Sequence, residues 1–153
     1  MDLPSTLIFD RAFIDGQWVD SDTRASFAII DPATAEVIAH VPNMGAVETA
    51  RAITAAQTAL PAWSSMTAKA RADIMRRWFK LILAHQEQLA AIITRECGKP
   101  LSEARSEVVN GAAFVEWFGE EAKRLYGEVI PAPDNTSRIF TLRQAIGVSA
   151  AIT

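Results

Sequence analysis

The sequence predicts an α/β protein with a β-like head, a helical middle and a β-like tail. Three observations carry that reading. Asp15-Gly16 sits between apolar flanks in FIDGQWV, residues 13–19, the pattern of a tight hairpin. From Ala46 onward the apolar residues recur at the period of a helix. The closing AIGVSAAIT, residues 145–153, is a near-continuous apolar run, the look of a strand buried on both faces of a parallel sheet.

After the first hairpin, residues 27–31 and 36–41 form a second strand pair around DPATAE, where Pro32 presets a turn and cannot continue a ladder. The first helix carries the stripe Val47, Ala50, Ile53, Ala56 and Leu60, and Pro61 is expected to end it. Thr67 has the hydroxyl to cap a second helix, whose stripe is Ala70, Ile74, Trp78, Leu81 and Ile82, widened by Met75 and Phe79. Arg71, Arg76, Arg77 and Lys80 lie mostly to the other side, as a solvated face. A third helix carries Leu89, Ile92 and Ile93; Gly98 suits its C′ position and Pro100 stops it. A fourth is expected over residues 102–126, roughly 36 Å at 1.5 Å per residue. Gly111 and Gly119 lie inside it at a cost of about 1 kcal/mol each, so close packing or a bend is expected there. IPAPDNTSR is a loop by composition. Residues 138–143 then alternate, with Ile139, Thr141 and Arg143 on one face and Phe140 and Leu142 on the other. A parallel strand at 146–153 would need a crossover and a partner strand, so the pattern reads as the opening part of a larger α/β protein.

Half of the 153 residues are hydrophobic, enough for a core, and 22% are charged. The net charge of -3 is spread along the chain, so neither a nucleic-acid partner nor a membrane surface is expected. The single Cys97 excludes an intramolecular disulfide and a multi-thiolate zinc site. The start has no basic region followed by an apolar stretch, and no run approaches the roughly 20 apolar residues of a membrane helix. A cytoplasmic location is expected.

Visible chemistry is sparse. No GxGxxG, P-loop, HExxH or GxSxG occurs. Cys97 falls at a helix C-terminus, where the negative end of the dipole disfavours a thiolate, so it reads as a structural, partly buried thiol. His40 and His85 have surface or capping contexts. Glu96 opposes the dipole in the last turn of its helix and would be eased by Lys99 or by a bound cation, though the surface tolerates such a carboxylate. On the fourth helix Asn110, Phe114 and Trp117 are spaced i, i+4, i+7 and share a face, with Ser106 one turn earlier. Val108, Ala112, Val115, Phe118 and Ala122 make a second apolar set. The Asn-Phe-Trp face has the make-up of a small-molecule pocket; spacing alone favours a core face with one hydrogen-bonded Asn.

Taken together, FIDGQWV, DPATAEVIAHV, the helix ending in Ala62-Trp63, RECGKPLSEARSEV, and EWFGEEAKRLYGEVIP leading into QAIGVSAAIT resemble the N-terminal third of the NAD(P)-dependent aldehyde dehydrogenase superfamily. AAFVEWFGEEAKRLYGEVIP is most similar to the succinate-semialdehyde dehydrogenase branch. Asp31 departs from the family's usual Asn, and Ala35 from its usual Gly. The resemblance implies a Rossmann-like cofactor-binding domain begun by residues 1–133, an oligomerisation arm strand over 134–145 and the first core strand over 146–153. It implies NAD or NADP as cofactor, a small aldehyde such as succinate semialdehyde as substrate, and a homodimer or homotetramer. The family chemistry is attack of a Cys thiolate on the aldehyde, hydride transfer to the nicotinamide and hydrolysis of the thioester by a Glu-activated water. Those catalytic residues lie beyond Thr153, so the chain alone is expected to be inactive. By the same resemblance Asn110, Phe114 and Trp117 match the substrate-tunnel wall, and Ile152 and Thr153 the strand end near the nicotinamide. Glu96 and the carbonyl of Ile30 match a monovalent-cation site of some members. The alternative class is a non-catalytic α/β interaction module ending naturally at Thr153.

Overall fold

The structure, a computed structural model, describes residues 7–152. β1 (Ala12–Ile14) and β2 (Gln17–Val19) pair antiparallel with Ile14 opposite Gln17. Asp15 and Gly16 hold φ of 50° and 75°, the two left-handed positions that the tight hairpin requires. Phe9 stacks on Trp18 at 4.2 Å and Phe13 leans on the same indole at 5.1 Å, support that a lone short hairpin needs.

β3 (Ser26–Ile30) pairs antiparallel with β4 (Val37–Pro42), with an irregularity between Ile29 and Ile30. The turn between them is built by Asp31. Its Oδ1 accepts from the Ala33 N–H at 2.8 Å and its carbonyl from the Ala35 N–H at 2.8 Å. Ala35 holds φ of 61°.

α1 (Ala46–Ser65) runs through Pro61, which was expected to end it. A proline removes one N–H, so the helix loses the bond from residue 61 to the Gln57 carbonyl and can resume beyond it. It closes at Met66, whose N–H bonds the Trp63 carbonyl. Arg71, assigned to a solvated face, instead donates to the carbonyls of Ser64 and Met66 and covers that end of the helix.

α2 (Ala68–Ala84) is capped by the Thr67 hydroxyl, which accepts from the Ala70 N–H at 3.2 Å. Its inward face keeps part of the expected stripe, Ala70 and Ile74 being half-buried. Ala72 is buried and Met75, Phe79 and Ile82 are half-buried, whereas Trp78 and Leu81 are exposed. α3 (Gln86–Cys97) ends as expected on Gly98 at φ 71°, whose N–H bonds the Thr94 carbonyl. α4 (Leu101–Glu121) packs against both α2 and α3. Small residues make the contacts: Ala90, Ala104 and Val108 form the centre, flanked by Ile82, Leu89, Ile93 and Leu101. Gly119 faces α2 so closely that a Cβ there would lie 3.0 Å from the Met75 Cβ, while Gly111 faces open space. The expected close packing thus holds at Gly119 and not at Gly111.

α4 stops short of residue 126, giving way to a 3-10 turn over Ala122–Arg124. β5 (Val129–Ile130) then pairs antiparallel with β6 (Ile139–Phe140). Thr141 locks the ribbon: its N–H bonds the Glu128 carbonyl at 2.9 Å and its hydroxyl accepts from the Glu128 N–H at 2.8 Å. Gly127 makes this approach possible, since a Cβ there would sit 1.8 Å from the Thr141 carbonyl oxygen. Residues 145–152 join no ladder, and Ile146 and Ile152 are each 99% exposed. The expected parallel core strand is therefore not formed among the described residues, because none of them offers a strand to pair with it. What stands is an α/β arrangement of four helices and small antiparallel sheets.

Candidate functional site

α4 positions the candidate site. Ala104, Val108, Ala112 and Gly119 recur on one side and are buried against α2 and α3. That fixes the rotation of the helix, so Asn110, Phe114 and Trp117 project from the opposite side. They are brought together as the i, i+4, i+7 spacing implied. With Ala113 and Phe118 they line an open depression of about 550 Å³. Phe114 is 65% exposed and Trp117 61%, so among the described residues they form an uncovered apolar wall. Phe118, grouped by its spacing with the core set, is 60% exposed and joins this wall. Ala113 and Phe118 are the lining residues that sequence reasoning missed; widening the stripe by one position on each side would have found them. A second, polar depression of about 480 Å³, lined by Lys99, Ser102, Glu103, Ser106, Glu107 and Asn110, meets the first at Asn110. Lys99 pairs with Glu107, which holds the lysine pKa above its ordinary value.

Glu96 lies exposed in the last turn of α3, and Ile30 is half-exposed at the end of β3. Their chain neighbours meet: Arg95 Nε donates to Asp31 Oδ2 at 2.6 Å, docking the end of α3 onto the β3–β4 turn. Among the described residues no group of three or more His, Cys, Asp or Glu side chains is placed to hold a metal ion. Cys97 is exposed. Ile152 lies in the unpaired terminal segment, and Thr153 is outside the described residues.

Among the carboxylates with depressed pKa values, Asp31 and Glu48 are the two that are buried. Asp31 is lowered chiefly by the Ala33 N–H and also by Arg95 and the Thr34 N–H, against the cost of burial. Glu48, only 4% exposed, is lowered chiefly by the Asp22 N–H. Its Oε1 accepts from that N–H at 2.9 Å and its Oε2 from the Gly45 N–H at 3.0 Å. Glu48 thus ties the loop after β2 to the start of α1. Its role was not visible in the sequence because the cap residue is Gly45 and not a Ser, Thr, Asp or Asn.

A sequence profile of the aldehyde dehydrogenase family matches residues 18–153. The chain belongs to the aldehyde dehydrogenase family. This aldehyde dehydrogenase chain is 51% identical, over its whole length, to the glutarate-semialdehyde dehydrogenase of Pseudomonas aeruginosa, of which it spans 32%. It is 47% identical, over 97% of its length, to the succinate-semialdehyde dehydrogenase (NADP+) of Escherichia coli K12, of which it spans 31%. The crystal structure of succinate-semialdehyde dehydrogenase from Burkholderia pseudomallei matches with a TM-score of 0.87 and 50% identity, covering 90% of this chain and 28% of that one. The chain therefore spans about a third of the length of the curated relatives it matches.

Proposed function

We propose that this chain is the N-terminal portion of a longer dehydrogenase that oxidises a small semialdehyde, succinate or glutarate semialdehyde, to the dicarboxylic acid with NAD+ or NADP+. The observation that carries the reading is the joint one: identity of 51% across the whole chain to a semialdehyde dehydrogenase, and an uncovered aromatic wall on α4. The bound cofactor would accept the hydride. Residues 1–153 supply only the edge of its site at Ile152 and Thr153, and the nucleophile and base belong to later residues. What this chain does is build one wall of the substrate tunnel from Asn110, Phe114 and Trp117. Phe114 and Trp117 bear on the methylenes of the substrate and keep water from them.

In the same reading residues 1–133 open the cofactor-binding domain, which is Rossmann-like once later strands pair with 146–153. Ile152 and Thr153 then approach the nicotinamide half. Residues 134–145 are an arm that pairs with a second subunit, in a homodimer or homotetramer. Glu96 and the Ile30 carbonyl hold a monovalent cation.

In the longer protein Phe114→Ala and Trp117→Ala should each raise KM for the aldehyde roughly five- to tenfold with little change in KM for the cofactor, because ground-state apolar contacts are lost. Steady-state kinetics with both substrates varied makes the test. Unchanged KM values together with a lowered thermal midpoint would assign the two rings to structure instead.

A further inference from the structure

We propose that Thr141 is a positioning residue for subunit pairing: its hydroxyl ends the β5–β6 ribbon at Glu128 and so keeps the outer edge of β6 presented to a second copy of this chain. This rests on the arm reading above and extends it to a named device. In the register of the ribbon, Thr141 falls opposite Glu128, one step beyond the Val129–Phe140 pair. Two residues that face each other at a bonded step of an antiparallel ladder exchange both backbone bonds. Here the Thr141 N–H bonds the Glu128 carbonyl at 2.9 Å, but the Glu128 N–H goes to the Thr141 hydroxyl at 2.8 Å. The side chain has taken the place of its own carbonyl. That carbonyl turns against the backbone of Gly127, where a Cβ would overlap it. The ladder therefore stops at Phe140. Arg143 fastens the departing chain: its Nε donates to the Tyr126 carbonyl at 3.1 Å, and its guanidinium lies 4.0 Å from the Glu128 carboxylate.

The same register decides what the free edge offers. Alternate residues of an antiparallel strand turn their N–H and C=O away from the partner. Thr141 bonds toward β5, so Phe140 is the residue whose backbone faces outward. Among the described residues β5 and β6 form a two-stranded sheet, and this edge carries no third strand. Beside it the Phe140 and Leu142 side chains stand exposed. An edge of open backbone groups flanked by apolar side chains is a template for another strand. Residues 139–142, Ile-Phe-Thr-Leu, hold no charge, so two copies of the edge can meet about a two-fold axis without like-charge repulsion. Thr141 holds this edge in one place because its two bonds and the Gly127 contact fix where the ribbon leaves the end of the helical layer.

The test follows mass against concentration by light scattering for the longer protein and its Thr141→Val, Thr141→Ser and Gly127→Ala variants. Thr141 and Gly127 are exposed and lie outside the helical core, and an unchanged helical circular-dichroism signal checks that each variant folds. Val keeps the shape of Thr and leaves the Glu128 N–H without its acceptor; Ser restores the hydroxyl. Thr141→Val and Gly127→Ala should each raise the concentration at which the assembly dissociates about tenfold or more, and Thr141→Ser should match the parent. A Thr141→Val variant that behaves as the parent, while the double change of Phe140 and Leu142 to Lys dissociates, would overturn the assignment to Thr141 and leave the arm standing. A Thr141→Ser variant that dissociates like Thr141→Val would overturn it as well. A parent protein that is monomeric would overturn both the assignment and the arm.

Discussion

Ala35 holds a left-handed φ of 61° in the β3–β4 turn, a conformation that costs an L-residue about 1–2 kcal/mol. The aldehyde dehydrogenase pattern has Gly at this position. Ala35→Gly should therefore stabilise the protein by about 1 kcal/mol, after allowing for the greater backbone freedom of Gly in the unfolded chain. A higher thermal midpoint checks it; a lower one would show that the turn relaxes without strain. Asp31 and Glu48 make the second residue-scale case. Both carboxyls are depressed in the folded state, so their stabilisation is fully present above the ordinary carboxylate range near 4 and is lost as the pH falls through the folded values. Glu48→Gln should be less stable than the parent at pH 7, and the gap should narrow below about pH 4. A gap that stays constant with pH would mean the carboxylate charge is not what the Asp22 and Gly45 N–H groups hold.

Among the elements, α4 sets two glycines in opposite circumstances. Gly111 faces open space, so Gly111→Ala should stabilise by up to about 1 kcal/mol through helix propensity. Gly119→Ala gains the same propensity but meets the Met75 Cβ, which is fixed to the α2 backbone, and overpacking of this kind costs about 1–3 kcal/mol. Denaturant midpoints should rise for the first variant and fall for the second; two rises would show that α2 yields. The same contrast explains what was legible in the sequence. The Asp15-Gly16 hairpin, the Thr67 cap and the Gly98 terminus each need a particular residue for a local backbone reason, and each is where it was expected. The packed face of α2 was legible only in part: Ile74, Met75, Phe79 and Ile82 are half-buried as expected. It turns on Ala72 and Gly119, small residues that add little to an apolar pattern, whereas Trp78 and Leu81 dominate the pattern and stay exposed. β5 was missed because two residues show no periodicity; its cause is Gly127, whose missing side chain admits Thr141. On α4 the spacing placed Asn110, Phe114 and Trp117 on one face but could not say whether that face was covered.

At the scale of the molecule, large apolar side chains remain uncovered on several elements, including Trp78, Leu81, Phe114, Trp117, Phe140 and Leu142. Surfaces of this extent mark contacts with further protein or ligand. For the arm, the proposed cover is a second subunit: β6 is paired on one side by β5, and Phe140 and Leu142 are exposed. A double change of Phe140 and Leu142 to Lys should lower the mass of the longer protein by light scattering. An unchanged mass, with unchanged concentration dependence, would place the interface elsewhere. The central claim is that residues 1–153 supply a substrate wall and that the chemistry belongs to a longer protein. Its most direct test is NAD(P)H formation from succinate and glutarate semialdehydes, measured side by side for residues 1–153 and for the longer protein. The longer protein should reduce the cofactor while residues 1–153 stay at the level of a heat-killed control. Turnover by residues 1–153 alone, or none by the longer protein, would contradict the account.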